Sequence, residues 1–169
     1  AVYRADKLNR FQRLIAFVSG HGEGWALYTE GLMRELGYFD DDPHLLGMLN
    51  SHLRRAAKVI LDIGIHLELT IPAGTGFHEG ERWTPELGVE FLTSRTLSDE
   101  VRGWDEVNRF LGLPGHGPSY KLGERVWLES IKNARQRHGD SFDLKRFHTY
   151  ALDMGSIGLD ILRDRLAAF

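Results

Sequence analysis

One stretch of the sequence, HLLGMLNSHLRRAAKVILDIGIHLEL, constrains the fold more than any other. Its apolar residues recur at helical spacing over most of the surface, which predicts a central helix from about His44 to Leu69. Pro43 occupies the predicted first helical position, with Asp41 and Asp42 before it as caps. Such a helix needs apolar partners around it, so the rest of the chain must supply a core.

Helical spacing also dominates the remaining sequence. Further helices are predicted for the N-terminal stretch that carries Val2, Leu8, Phe11, Leu14, Ile15 and Val18, for about Glu23 to Leu36, from Thr84, for Ser98 to Leu111, and after Tyr120 to about Arg137, with two short helices closing the chain. Gly20 to Gly24 and two Gly-rich loops, 71–83 and 112–120, interrupt the pattern. No segment alternates apolar and polar residues as a strand does. The prediction is an all-α fold, a multi-helix bundle in which residues 1–169 form a single domain.

The composition narrows the function classes. A formal charge of −3 and the lack of a basic run predict no nucleic-acid partner. No apolar run is long enough for a membrane span, and no signal-peptide pattern is present, which favours the cytoplasm. With no Cys and eight His, a transition-metal site would have to use His and carboxylates. The chain begins without Met and already in helical register, so we expect a piece of a longer parent protein, whose compartment depends on an N-terminus outside this sequence.

The stretch SGHGEGWALYTEGL, residues 19–32, contains the first candidate site. Glu23 and Glu30 are seven residues apart. On a helix this spacing is about two turns and leaves them roughly 20° out of register, so both carboxylates point to one side. The stretch is either the solvated acidic edge of an amphipathic helix, or a metal ligand, Glu23, supported by a second carboxylate. His21 fits either interpretation.

Asp62 and His66 are the second candidate pair. A carboxylate one turn before a His can accept its ring N–H and fix the tautomer, which would suit a catalytic His66. A buried polar pair with no chemical role has the same spacing. Arg54 and Arg55 lie close by and are expected to neutralise interior carboxylates, because unpaired buried charge is costly.

The Gly-rich loop GHGPSY holds the third candidate group, His116, Ser119 and Tyr120. A tight turn that leads into a helix can offer N–H groups or a phenol to an oxyanion. The simpler interpretation is a loop in which Ser119 caps the next helix. The sequence His78-Glu79 is not a zinc-protease motif, because the second His of such a motif is replaced by Arg82.

Five blocks of the sequence resemble, in the same order, the C-terminal part of the bacterial family called domain of unknown function 885. The blocks are HGEGWALYTEGLMRELGY, LRRAAKVILDIGIH, GERWTPE, GHGPSYKLGE and FDLKRFHTYALDMGSIGLDILRD. Together they extend over essentially the whole chain. Members of the family look like zinc-dependent metallopeptidases, distantly similar to the carboxypeptidase Taq and thimet oligopeptidase groups.

The resemblance implies a role for several residues. A metal motif similar to His-Glu-x-x-Pro-Gly-His-His is expected just upstream of Ala1, which would make this chain the C-terminal half of a metallopeptidase-like helical catalytic domain. Glu23 matches the third zinc ligand, and Glu30 matches an acidic residue two turns later. GHGPSYKLG resembles the GYFPTYTLG-like block of the Taq group, so Tyr120 is the candidate phenol for the oxyanion. His116 falls where that group has Tyr.

The leading hypothesis is therefore a fragment of a zinc metallopeptidase that hydrolyses small peptides. The fragment would supply the third ligand and the oxyanion side, and would be inactive alone. Expected partners are zinc, a peptide substrate, the remainder of the parent chain and, through uncovered apolar surface, a second copy. One alternative is a helical binding or scaffolding module without catalysis. Another is a metal site complete within this chain, formed by His21, Glu23, His66 and His116.

Overall fold

The computed structural model describes residues 6–39 and 41–169. Its helices are α1 (Arg10–Leu14), α2 (Ser19–Glu35), α3 (Asp42–His66), α4 (Pro85–Arg95), α5 (Glu100–Gly112), α6 (His116–His138), α7 (Leu144–Asp153) and α8 (Leu159–Ala167), with a short 3₁₀ helix, Gly139–Ser141, after α6. These elements confirm the predicted all-α, multi-helix fold. The chain divides into two compact units: a first unit, Ala1–Thr29 with Leu122–Phe169, and a second unit, Glu30–Lys121.

Several predicted helix ends are present with their predicted residues. At the start of α3, Asp41 accepts a hydrogen bond from the backbone N–H of His44 at 2.8 Å. Thr84 caps α4 and Asp99 caps α5 in the same way. Just beyond α2, Gly37 has a φ of 80°, the left-handed conformation that favours glycine at a helix end. Capping chemistry therefore fixes these boundaries.

The start of α2 differs from the prediction. The helix begins at Ser19, so the expectation that Gly20 to Gly24 interrupts it is wrong. A Cβ atom added at Gly24 would overlap the backbone of Gly123 in α6 and lie 2.8 Å from the backbone N of Glu124. Glycine is therefore present here because the α2 and α6 backbones approach closely, despite its low helix propensity.

α1 is shorter than the sequence predicts. It ends at Leu14 rather than extending to Val18. Three residues of the predicted apolar stripe, Phe11, Leu14 and Ile15, are each more than 60% exposed. A helix of this length without a buried face has little beyond its cap to stabilise it. Val2, which begins the predicted stripe, lies outside the described residues.

The first unit has its own apolar core, built from α2, α6, α7 and α8. Its most buried members are Leu27, Val126, Trp127, Ala134, Phe147, Ala151, Leu162 and Leu166. Trp127 is fully buried and contacts the rings of α2. The two short closing helices that the sequence predicts are present and complete this core with Phe147, Leu162 and their neighbours.

The second unit has a separate core in which α3 packs against α4, α5 and the Gly-rich loop. The buried cluster consists of Ala57, Leu61, Ile71, Phe77, Trp83, Val89, Leu92, Val107 and Phe110. Within it the ring of Phe77 stacks on that of Trp83 at 5.7 Å, and Phe91 contacts both edge-on. The loop before α4 therefore contributes aromatic side chains to the core.

α3 is central to the second unit on one face only. Its buried residues include Ala57, Leu61 and Asp62. The expectation of apolar partners around the helix holds for that face alone, since Leu53 and Ile60 on the opposite face are 49% and 47% exposed. Apolar periodicity shows which residues share a face, but it does not show whether anything covers that face.

Candidate functional site

Glu23, the predicted metal ligand, lies near the start of α2 in the first unit. Its side chain is half-buried. Within residues 6–39 and 41–169, its carboxylate has no hydrogen bond or ion pair. A carboxylate held on a helix without a partner can bind a cation without first breaking another contact.

Packing on both sides of Glu23 holds α2 in place. A Cβ atom at Gly20 would lie 2.7 Å from Cδ1 of Leu159, the first residue of α8, and one at Gly24 would overlap the α6 backbone at Gly123. At Gly20 the atoms belong to the flexible side chain of Leu159, whereas at Gly24 they are backbone atoms, so the contact with α6 is the one that leaves no room for a larger residue. The backbone next to Glu23 therefore packs directly against that of α6.

Aromatic and imidazole rings pack beside these turns of α2. The ring centroid of Trp25 is 4.8 Å from that of Trp127 and 5.2 Å from that of His148. The Tyr28 hydroxyl lies 2.8 Å from Nε2 of His148, within hydrogen-bond distance. Burial lowers the pKa of His148, which favours its neutral form.

His21 belongs to the core of the first unit. Its side chain is 6% exposed, and its ring meets that of Trp127 edge-on at 5.5 Å. Burial lowers the pKa of this imidazole, and a hydrogen bond to the backbone of Ile157 opposes the shift. Its Nδ1 atom has no hydrogen-bond partner in the described part of the chain. The neutral imidazole is thus the favoured form, and its predicted role near the metal stays a prediction.

Glu30, the predicted supporting carboxylate, lies in the second unit and is paired. Its Oε1 atom is 3.2 Å from Nη2 of Arg55, and its Oε2 atom is 3.6 Å from Nε2 of His52. Arg54 pairs with a different carboxylate, Glu106, at 3.1 Å. The prediction that Arg54 and Arg55 neutralise carboxylates is confirmed.

Asp62 links α3 to the start of α6. Its buried carboxylate accepts hydrogen bonds from the backbone N–H groups of Gly115 at 2.9 Å and Gly117 at 2.7 Å. A Cβ atom at Gly117 would lie 2.7 Å from the carbonyl oxygen of Lys58, so only glycine permits this approach. Asp62 therefore caps the N-terminus of a helix distant from it in sequence.

Ser119 does not have the capping role that the sequence suggested. Its hydroxyl lies inside the first turn of α6 and donates to the carbonyl oxygen of His116 at 2.6 Å. The helix starts at His116 instead, and Asp62 accepts the N–H hydrogen bonds that a cap would accept. A side chain from another helix has replaced the local cap.

His66 is held beside Asp62, as the spacing of the two residues predicts. Its Nδ1 atom is 2.9 Å from the backbone carbonyl oxygen of Asp62 and 3.3 Å from the Oδ1 atom of the carboxylate. Since a carbonyl oxygen only accepts, Nδ1 carries the proton and the neutral ring keeps its lone pair on Nε2. In this tautomer Nε2 is the hydrogen-bond acceptor of the ring.

Tyr120 lies in a cationic environment in the second unit. Its ring is 8% exposed. The guanidinium carbon of Arg55 is 5.2 Å, and Nζ of Lys58 is 5.5 Å, from the ring centroid, both within cation–π range. His116 meets the same ring edge-on at 5.5 Å. Two cationic side chains thus contact the ring of the predicted oxyanion donor, and each is also paired with a carboxylate, Arg55 with Glu30 and Lys58 with Glu106.

A hydrogen bond fixes the tautomer of His116. Nη2 of Arg109 lies 2.9 Å from Nε2 of His116. A guanidinium group can only donate, so Nε2 accepts and the ring proton is on Nδ1. His116 and Tyr120, which the sequence placed in one loop, are therefore brought together at the start of α6.

Lys58 and Glu106 form a buried ion pair that the sequence analysis missed. Their Nζ and Oε2 atoms are 2.6 Å apart. Burial lowers the pKa of Lys58, and the hydrogen bond to Glu106 opposes this shift. Burial acts to raise the pKa of Glu106, but the hydrogen bond and positive charge of Lys58, with Arg54 and Arg109, lower it overall. Glu106 is therefore ionised near neutral pH.

The sequence contained a partial signal for these missed residues. A lysine inside the apolar run of α3, one turn before Asp62, indicates a buried charge that needs a partner. Nothing in the local sequence marks Glu106 or His148 as that partner or as a neighbour of the aromatic rings. His52 was not singled out from the sequence either; its side chain is only 22% exposed, and its Nε2 atom lies 3.6 Å from Oε2 of Glu30.

No group of three or more His, Cys, Asp or Glu side chains among the described residues is arranged to hold a metal ion. Glu23 and Glu30, assigned by sequence to one metal site, differ in their surroundings. Glu23 has no partner in the described part of the chain, whereas Glu30 is paired with Arg55. Glu23 belongs to the first unit and Glu30 to the second.

Comparison with known proteins identifies the family. A family model described as "Bacterial protein of unknown function (DUF885)" matches residues 1–166. The chain belongs to this family. The match confirms the resemblance that the five sequence blocks indicated. The description assigns no activity, so the similarity to metallopeptidases stays a prediction.

A solved structure supports the fold of this family member. It is described as "The crystal structure of the putative lipoprotein from Colwellia psychrerythraea" and superposes with a TM-score of 0.78 at 30% sequence identity. The match covers 94% of this chain and 25% of that one, so this chain spans about a quarter of the length of its relative. No curated protein matches the chain.

Proposed function

We propose that this chain is part of a zinc-dependent metallopeptidase that hydrolyses peptide bonds in small peptides, with Glu23 as a metal ligand. The observation that carries the proposal is the contrast among the candidate carboxylates. Glu30 is paired with Arg55, and Asp62 is bound by two backbone N–H groups. Glu23 alone of these carboxylates has no partner in the described part of the chain, and it is held on a tightly packed helix.

This chain supplies one zinc ligand of the proposed site, the carboxylate of Glu23. A carboxylate oxygen is one of the usual zinc ligands, alongside His nitrogen. The family resemblance implies that two His ligands and a general-base Glu lie upstream of this segment. When bound with three protein ligands, zinc lowers the pKa of its water to about 7 and polarises a carbonyl.

The other candidates are proposed to act on the substrate or to position residues. Tyr120 is the proposed hydrogen-bond donor to the oxyanion that forms from the scissile carbonyl, as the resemblance of its sequence block implies. Arg55 and Lys58 lie beside its ring, each of them also paired with a carboxylate. His66 and His116 are proposed as proton carriers. Their N–H protons are on Nδ1 in both rings, as their hydrogen bonds indicate.

The test uses a full-length family member that contains this segment. Glu23→Gln should lose bound zinc and lower peptide hydrolysis by more than the roughly 10–100-fold typical of residues that only support a ligand. Glu30→Gln, the same change on the same helix, should keep its zinc. Zinc content is measured by mass spectrometry of the purified protein, and hydrolysis is measured with and without a chelator.

Two results would overturn the assignment. Full zinc content and activity in the Glu23→Gln protein would exclude Glu23 as a ligand. A full-length protein that binds no zinc and cleaves no peptide would favour the alternative, a helical binding or scaffolding module. Loss of zinc in Glu30→Gln but not in Glu23→Gln would exchange the two roles.

Partners and location are part of the same proposal. The proposed partners are a peptide substrate and the remainder of the parent chain, with a second copy of the chain as a further one. No described helix has the length and hydropathy of a membrane span. A cytoplasmic location stays a proposal, since the similar structure is described as a lipoprotein.

A further inference from the structure

The exposed face of α3 in the second unit carries an apolar seam. Its members follow a spacing of three and four residues, the heptad pattern by which one helix packs against another. They are Leu46, Leu49, Leu53, Ala56, Ile60, Ile63 and Leu67. All of them except Ala56 are at least 40% exposed. From Leu46 to Leu67 the seam is about 32 Å long at the helical rise of 1.5 Å per residue.

Walls on one side turn much of this seam into a groove. A cavity of about 510 Å³ lies between the middle of α3 and the aromatic side chains of the Gly-rich loop and α4, including Phe77, Trp83 and Phe91. A second cavity of about 370 Å³ continues it toward the start of α3, where Leu97 forms part of the wall. The two cavities share Leu53 and Arg95 as lining residues.

Arg95 is the cation of this groove. It lines both cavities at the end of α4. Its Nη2 atom makes only long contacts, 3.5 Å to the carbonyl oxygen of Thr75 and 3.4 Å to that of Gly76. Across residues 6–39 and 41–169, no carboxylate pairs with it. An occupant that places an acidic group beside its apolar surface would complement this charge.

We propose that the groove along α3 binds an amphipathic helix with acidic residues flanking its apolar stripe. We assign this helix to the part of the longer family chain that lies outside the matched segment. The similar solved chain has about three quarters of its length outside that segment, so it has ample sequence to supply one. A helix laid in a groove is anchored at the same three- and four-residue spacing that the seam displays.

Two other occupants fit the groove less well. A small amphipathic molecule could fill the larger cavity but would leave most of the seam uncovered. In a second copy of the chain, the positions that flank the same seam would bring no acid to Arg95. The positions flanking the seam are uncharged or His: Leu45, Asn50, His52, Ala57, Val59, Gly64 and His66. The observations therefore favour a different, acidic helix.

The test titrates the intact 169-residue chain with a designed 21-residue peptide. The labelled peptide has Leu at its heptad core positions and Glu at the flanking positions, and a matched peptide has Lys in place of Glu. Binding is followed by fluorescence anisotropy. The Glu peptide should bind about tenfold tighter than the Lys peptide, a preference that Arg95→Gln should abolish. Leu53→Asp should weaken binding at least about tenfold, as loss of a central anchor does.

Control variants distinguish binding at the seam from non-specific binding to exposed apolar residues. Ile161→Asp changes a similarly exposed apolar residue of the first unit and should leave binding unchanged. Circular dichroism confirms that each variant is folded, and Leu46→Asp replaces Leu53→Asp if that protein is unfolded. Equal binding by the parent chain and both seam variants, or no binding of either peptide, would overturn the proposal.

Light scattering and a fatty-acid probe distinguish the other occupants. A dimer that Leu53→Asp dissociates, with no peptide binding, would assign the groove to a second copy. Decanoate binding in the absence of peptide binding would assign it to small amphipathic carboxylates. Both results overturn the helix proposal, which rests on the apolar seam, the two cavities, Arg95 and the family match, and does not use the proposed peptidase activity. Because none of these experiments measures hydrolysis, failure of the helix proposal is distinguishable from failure of the peptidase assignment.

Discussion

A single methyl group should have opposite effects on stability at two positions of α2. In the first unit, a Cβ atom at Gly24 would overlap the backbone of Gly123 and lie 2.8 Å from the N atom of Glu124. At Gly31, in the second unit, a Cβ atom would meet nothing within 4 Å. Gly→Ala in a helix interior gains about 0.8–1 kcal/mol from propensity alone. The net change in unfolding free energy then depends on the contacts that the added methyl group makes.

At Gly24 the contacts outweigh the propensity gain. The atoms that a methyl group would meet are backbone atoms, so no side-chain rotation relieves the overlap and α2 must move away from α6. Overpacking of a tight core costs about 1–3 kcal/mol, and the backbone contact puts this site at the upper end of that range. The net effect of Gly24→Ala is a loss of about 1–2 kcal/mol, or about 2–8 °C in Tm for a chain of this size.

Urea unfolding, monitored by circular dichroism at 222 nm, measures both effects on the same chain. Gly31→Ala should raise the unfolding free energy by up to about 1 kcal/mol, which moves the urea midpoint to a higher concentration. Gly24→Ala should lower both quantities. A Gly24→Ala protein as stable as Gly31→Ala would show that α2 and α6 do not approach as closely as the structure indicates, and would refute the packing argument.

Three further predictions concern charged groups. Asp62→Ala should cost about 3–6 kcal/mol in unfolding free energy, since it removes two charge-assisted hydrogen bonds, one of them to the buried N–H group of Gly117. An unfolding midpoint close to that of the parent would contradict this. The pKa of His78, raised by its hydrogen bonds to Glu90 and Glu81, should fall toward the ordinary value in Glu90→Gln, as followed by NMR. The hydrogen bonds of protonated His78 contribute their full stabilisation below about pH 6.5, and this contribution is lost as pH rises through the pKa of His78 in the folded state. Burial lowers the pKa of His148, so its effect on stability has the opposite pH dependence. The unfolding free energy should fall as pH drops below about 6.5, because the unfolded state then binds a proton that the folded state does not. The urea midpoint of a His148→Gln protein should depend less on pH.

The sequence predicted the fold class and many helix ends because these depend on local chemistry. Asp41, Thr84 and Asp99 accept N–H hydrogen bonds from residues three positions later, a relation visible in the sequence itself. Glycine at position 37 ends a helix for an equally local reason. The prediction failed for the glycines at the start of α2, because glycine has two possible roles in a helical sequence. A glycine that breaks a helix and a glycine that admits a neighbouring backbone look identical in sequence, which explains the misplaced start of α2.

The candidate site was predicted as a set of residues rather than as a set of contacts. Spacing placed His66 beside Asp62, and the loop placed His116 near Tyr120, since these relations span a single helical turn. The contact of Asp62 with Gly115 crosses 53 positions, and no periodicity encodes it. The pairing of Lys58 with Glu106 is also between distant segments. Long-range partners of charged residues are set by tertiary packing, which the sequence pattern does not show.

The hydrogen bonds from Gly115 and Gly117 to Asp62 also affect amide hydrogen exchange at the start of α6. The first amides of a helix have no intrahelical acceptor and usually exchange their hydrogens quickly with solvent. These two are bound to a buried carboxylate of another helix, so they should exchange only when α3 and α6 separate. Their exchange rates would report how often the turn that carries His116 and Tyr120 opens.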